Sequence, residues 1–316
     1  MTDRIIFFSN SKSQGVRRKG SRLLAFYTAH KTKKYIYTDD PAALLQIEFT
    51  AQDHLFIEGG DGTLQKTITG LLNSLTDIAH CPKLSIVAGG LTNQIAANIG
   101  LKAKQDADIN DAIIAPQRGL RPTPILKLDY MGTQSQYGCL FSTGALPFVT
   151  DYYEQKIRAN PTGGTSGIVT TLIKAVSGNQ AARDKLMPAT ELELVLRNGK
   201  QEILKTGAHL GTIVTTLPSL MMGLDPFWGQ GEGDLRVLYA DGRARRLVRN
   251  LTGVWLGRKS IDRSADGLES FQSDRLTYHY NGPKILDGEK LETGENNGPL
   301  TISATPPLPF VATPKS

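Results

Sequence analysis

The chain of 316 residues is longer than one ordinary domain, so two are expected. Hydrophobic residues at 40% and charged residues at 21% suit a folded protein, and no apolar run reaches the ~18 residues that would span a bilayer. The net charge of +6 suits an anionic partner such as a phosphate, an acidic membrane surface or nucleic acid, although no nucleic-acid motif accompanies it.

The opening MTDRIIFFSNSKSQG has an apolar run only from Ile5 to Phe8, too short for a secretory signal, so a cytoplasmic protein is expected. Arg4 to Ser9 reads as a buried strand, Gly15 to His30 as a basic amphipathic helix and Lys34 to Thr38 as a second strand. The rhythm repeats with a strand over Asp53 to Glu58, a helix over Thr63 to Leu75, a strand over Leu84 to Ala88 and a helix over Thr92 to Ile99 capped by Gly100. Such alternation predicts a parallel sheet covered on both faces, with ligands at the carboxyl ends of its strands.

Residues 115–119 and 121–124, rich in proline, read as a linker. Beyond them come β-like segments at Ile125 to Tyr130, Glu191 to Leu196, Ala208 to Thr215, Asp234 to Tyr239 and Arg275 to Tyr280, with one helical stretch at Gly167 to Val176. These predict an all-β or mostly β second domain, a sandwich or barrel. The expected division is 1–120 and 121–316, with the strand-like Leu300 to Ser303 in a tail whose last ~15 residues are candidates for packing back on the first domain. Cys81 and Cys139 have no metal-binding spacing and read as buried thiols; His30, His54, His80, His209 and His279 show no ligand spacing either.

Glu58-Gly59-Gly60-Asp61-Gly62-Thr63-Leu64-Gln65 stands between a hydrophobic strand and an amphipathic helix. Glycines let the backbone approach phosphates closely, a helix start attracts negative charge, and an aspartate there can reach Mg²⁺ or a substrate hydroxyl. An Asp-Gly pair alone is ordinary turn punctuation, but a string such as GGDGT arises by chance at on the order of one position in a million.

GGDGT after a strand resembles the nucleotide-binding signature of the diacylglycerol, sphingosine and NAD kinase superfamily. The first loop, from Asn10 to Gly15, resembles the lipid branch's Asn-Pro-x-Ser-Gly, with Ser11 in place of the proline, and Thr38 stands where the second strand ends near the nucleotide. Ala88 to Ala96 (AGGLTNQIA) resembles the family's Pro-Leu-Gly-Thr-Gly-Asn-Asp-Phe-Ala, which brings in Gly90, Thr92 and Asn93. Asp287-Gly288-Glu289 looks like the segment carrying the family's catalytic carboxylate, and Glu232 with Asp234 matches its metal-binding Asp-Asp-Gly-Leu-Leu.

The resemblance implies ATP and Mg²⁺ as cofactors and a lipid hydroxyl as acceptor, met peripherally at the inner membrane surface, with homodimerisation left open. Glu289 is then the candidate base with Asp61 second, and Asn10, Thr38, Gly59 to Gln65, Gly90, Thr92 and Asn93 hold the nucleotide at a cleft between the domains. Leu217 to Leu224 with Pro226-Phe227-Trp228 would either line an acyl pocket or form plain core. Leu91, Lys66 and Glu232 depart from the family pattern. They motivate one rival, a catalytically weakened lipid- or nucleotide-binding relative. The other rival, NAD kinase, places an Asn-Glu pair in its β-domain that this chain lacks.

Overall fold

The computed structural model describes residues 4–90, 93–130, 133–144, 190–220, 223–242, 244–246, 249–250, 253–254, 263–291 and 298–314. The helix expected over 167–176 and the expected nucleotide contact Thr92 lie outside the described residues. The chain divides into two units, Met1–Ile125 with Thr305–Ser316, and Leu126–Ala304.

The first unit begins β1 (Ile5–Ser9), α1 (Gln14–Lys19), α2 (Arg22–Ala29), β2 (Tyr35–Thr38), α3 (Pro41–Leu45), β3 (His54–Gly59) and α4 (Asp61–Ser74). It continues with β4 (Lys83–Ala88), α5 (Gln94–Ile99), α6 (Asp106–Ile114), α7 (Pro116–Gly119) and β5 (Leu120–Thr123). In the second unit follow β6 (Leu126–Tyr130), β7 (Gln136–Gly138), β8 (Leu140–Gly144), β9 (Thr190–Asn198), β10 (Gln201–Thr215) and β11 (Leu235–Asp241). After these come β12 (Leu268–Ser273), β13 (Arg275–His279), β14 (Lys284–Leu286), β15 (Glu289–Lys290) and β16 (Leu300–Ala304). The chain then returns to the first unit with β17 (Leu308–Val311).

Six strands of the first unit form one sheet in the order β2-β1-β3-β4-β17-β5, parallel except for the edge pair β17–β5. Buried strands of the apolar kind in IIFFS and HLFIEG are what a sheet covered on both faces requires. Phe7, Phe26 and Phe56 anchor the core beneath α2 and α6, with Phe7 and Phe56 centroids 5.2 Å apart. Register pairs Ser9 with Glu58 and Gly59 with Ala88, so the carboxyl ends of β1, β3 and β4 lie side by side.

Two expectations change here. The single helix expected over 15–30 is two helices, because Gly20 turns the chain at φ 78° and the Ser21 hydroxyl then caps α2 by accepting from the Leu24 amide at 2.9 Å. The segment expected as a linker is ordered: Pro116 opens α7, where its missing N–H costs nothing, and 120–123 form edge strand β5, where Pro122 is tolerated.

The described residues of the second unit form an eleven-stranded antiparallel sheet around an apolar core that includes Phe141, Leu194, Val237, Leu276, Tyr278 and Ile302. Strand β10 pairs with β9 along Gln201–His209; after an irregularity between His209 and Gly211 it runs between β8 and β11. No helix among the described residues is long and apolar enough to cross a membrane.

Candidate functional site

Three loops meet at the carboxyl edge of the parallel sheet. The first follows β1. Asn10 donates its side-chain amide to the Thr63 hydroxyl at 2.8 Å, and the Ser13 hydroxyl lies 3.1 Å from the same oxygen. The Gly15 amide donates to the Gly89 carbonyl at 2.9 Å, tying the first loop to the third.

The second loop is Gly59-Gly60, which delivers the chain into α4 with Gly60 as its N-cap residue. Helix starts leave their first amides without intrahelical acceptors and carry the positive end of the helix dipole, which suits a phosphate. The glycines are required by contact. A Cβ on Gly90 would sit 2.5 Å from the Gly60 Cα, and one on Gly89 3.0 Å from the Gly59 Cα.

The third loop, Gly89 to Asn93, is held by Asn93, a non-glycine residue at φ 48°. Its side chain brackets Gly90, accepting from the Gly90 amide at 2.7 Å and donating to the Gly90 carbonyl at 2.7 Å. Asp61 joins loops two and three, since its Oδ1 accepts from the Ile95 amide at 3.1 Å.

Beneath the loops lies a residue that sequence reasoning placed only as a strand end. Glu58 is 2% exposed, and its carboxylate accepts from the Ser9 hydroxyl at 2.9 Å, the Ser21 hydroxyl at 2.6 Å and the Arg22 amide at 3.0 Å. It therefore fixes β1, β3 and the start of α2 together directly under Gly59. The signal available in the sequence was an acidic residue ending an otherwise apolar strand, immediately before the glycines. Of the other expected contacts, Leu64 and Gln65 in the first turns of α4 are buried, and the Gln65 side-chain amide donates to the Thr69 hydroxyl at 3.3 Å. The Thr38 hydroxyl is engaged in a turn, accepting from the Asp40 amide at 3.1 Å.

The remaining expected residues belong to the second unit. Asp287 and Gly288 have φ of 50° and 88°, the two positive values of a tight hairpin turn between β14 and β15. The Asp287 carboxylate accepts from the Cys139 amide at 3.0 Å and the Leu140 amide at 2.8 Å, so it pins this hairpin to the chain entering β8. Glu289 follows on β15, exposed. Glu232 and Asp234 are exposed in the loop before β11; the Glu232 amide donates to the Asn198 side chain at 2.7 Å, and its carboxylate lies over Gly199 at the β9–β10 turn. Among the described residues no three His, Cys, Asp or Glu side chains gather as a metal cluster. Leu217 and Phe227, from the segment with two readings, are buried, and the Arg236 guanidinium lies 4.8 Å from the Phe227 ring centre.

Residues 4–123 match the diacylglycerol kinase catalytic domain. A solved diacylglycerol kinase from Bacillus anthracis shares 14% identity, covering 99% of this chain and 97% of its own, with a TM-score of 0.60. Two further structures from the same strain, with a provisional diacylglycerol kinase assignment, share 15% and 14% identity, each covering 99% of this chain and 98% of its own, with TM-scores of 0.62. These likenesses show a common fold. No curated protein matches the chain significantly.

The matched diacylglycerol kinase catalytic domain contains every expected nucleotide contact, from Asn10 to Asn93, and excludes Glu232, Asp234 and Glu289.

Proposed function

We propose that the protein is an ATP-dependent kinase whose acceptor is the hydroxyl group of a lipid at a membrane surface. The observation that carries this reading is the meeting of the Asn10, Gly60 and Gly90 loops at the amino end of α4, inside the matched domain. At Gly60 and Gly90 the space a Cβ would take is filled by the facing backbone, so the two loops close on each other beside the amino end of α4, whose first-turn amides are the donors suited to a polyphosphate.

In this reading the first-turn amides of α4 bind the phosphates, while Asn10 and Thr63 keep the first loop against the second. Bound ATP would supply the γ-phosphoryl group and Mg²⁺ would neutralise its charge; one or two carboxylates with retained water suffice for Mg²⁺, so Glu232 and Asp234 are the residues that would hold it. Glu289 takes the proton from the acceptor hydroxyl as its oxygen bonds to the γ-phosphorus and the bond to the β-phosphate oxygen breaks. Asp61, which caps α5, keeps the second and third loops in register.

The test is ATP consumption by the purified chain with Mg²⁺ and micelles of hydroxylated lipids, with NAD in parallel. Phosphorylation of a lipid, lost in Glu289→Gln while ATP binding persists, is the expected result. Phosphorylation of NAD alone refutes the acceptor class, and full turnover by Glu289→Gln refutes its role as base.

A further inference from the structure

Beside the third loop, at the β4–β17–β5 end of the same sheet edge, lies a groove of about 730 Å³ whose lining includes Arg22, Lys102, Lys104 and Arg121 and no acidic residue. Among the described residues none of these four cations pairs with a carboxylate. The two arginines are already held in place. Arg22 donates from its guanidinium to the Ala103 carbonyl at 2.8 Å, and Arg121 donates to the Thr313 carbonyl at 2.5 Å. The two lysines share one side of an extended segment, because Leu101 and Ala103 are buried while Lys102 and Lys104 are exposed. Asp108, which approaches from α6, is committed to the Lys104 and Gln105 amides at 2.7 and 3.0 Å.

A concave surface of one sign focuses its field, and two preset guanidiniums reduce the ordering cost of binding an anion. We infer that this groove is a second anion site, separate from the loop at the start of α4, which takes a phosphate monoester or pyrophosphate group. The volume admits more than a bare phosphate, and Ala96, Ala97 and Leu101 give it an apolar wall for the attached organic part. Asn93 lines the groove and also grips Gly90, so the two sites share a residue. The inference rests on the groove and does not depend on the kinase reading.

The probe is pyrophosphate, titrated into the full chain by calorimetry, with Lys102→Gln/Lys104→Gln compared to wild type. Both side chains are exposed and the fold does not depend on them. Loss of two charge-assisted contacts weakens one pyrophosphate site by at least about a hundredfold, so the variant shows one site fewer than wild type in the same range. This difference stands whether or not the α4 site also binds, so it is readable even where the kinase reading fails. An isocharge control, Lys31→Gln/Lys33→Gln, should leave both affinities unchanged. Equal titrations for wild type and variant, or an equal loss in the control, overturn the site. Vesicles of phosphatidylcholine with phosphatidic acid distinguish the source. Binding displaced by pyrophosphate and weakened in the variant identifies a lipid headgroup, and pyrophosphate binding without vesicle binding identifies a soluble phosphate. Vesicle binding indifferent to pyrophosphate and to the variant overturns the proposal.

Discussion

Gly90→Ala isolates the contact on which the proposed phosphate site depends. The added Cβ would stand 2.5 Å from the Gly60 Cα and 3.2 Å from the Asn93 Oδ1. The first neighbour is backbone and cannot rotate away, so the two loops must separate or the overlap must persist. Overpacking of this kind costs roughly 1–3 kcal/mol. If the strain stays in the folded protein it lowers stability by that amount, and if the first unit melts as one cooperative unit each 1 kcal/mol shifts its Tm by about 3–4 °C. If the loops move apart instead, Gly60 and the first amides of α4 leave their position and ATP binding weakens by about 5- to 150-fold. The strain divides between these two outlets, so the losses in stability and in affinity should together reach roughly 1–3 kcal/mol. Calorimetric ATP titration and thermal melting of the same preparation measure both. A Gly90→Ala variant with unchanged Tm and unchanged ATP affinity would show that the loops are not in contact, and would refute the argument for the site.

Other perturbations test separate parts of the structure. Lys284 is 4% exposed, its Nζ lies 5.1 Å from the Tyr280 ring centre, and burial lowers its pKa from 10.5 to about 8. Below pH 8 the cation is buried at a cost on the order of 3 kcal/mol, which disappears as pH rises from 8 toward the unfolded value of 10.5. Lys284→Met should therefore be the more stable protein at pH 7, less about 1 kcal/mol for the lost ring contact, and the advantage should shrink by pH 10; parallel denaturation curves across that range would contradict this. Glu58→Gln replaces an acceptor of several donors with one that carries its own N–H groups, and should cost about 2–3 kcal/mol in urea denaturation together with weaker ATP binding. Asp287→Ala frees the Cys139 and Leu140 amides and should cost about 2 kcal/mol of stability; an unchanged midpoint would remove its structural role.

Much of the first unit was legible in order. The strands IIFFS and HLFIEG and the GGDGT turn announce a parallel sheet with a glycine-rich turn at its carboxyl edge because periodicity and glycine chemistry are local properties. The mostly β character of the second unit followed from its short β-like segments, although β7, β8, β12 and β14, three to six residues each, were too short to stand out. The break at Gly20 was hidden because the basic helical pattern continues across it, and the Ser21 cap that enforces it draws on Glu58, 37 residues away.

By itself, the sequence determined which local shapes the chain takes: where backbone must bend at glycine, where apolar strands must be buried, and that residues around 59–63 form a helix start able to face an anion. Only the tertiary structure decided that Asn10 reaches Thr63, that Gly60 and Gly90 touch, that Glu58 is the anchor beneath them, and that the LKAK lysines share a groove with Arg22 and Arg121. It also returned β17, nearly two hundred residues after β5, to the sheet beside β4. Hydrogen bonds and contacts between residues distant in the chain depend on strand order and register, and no local pattern of apolar and polar residues encodes either one.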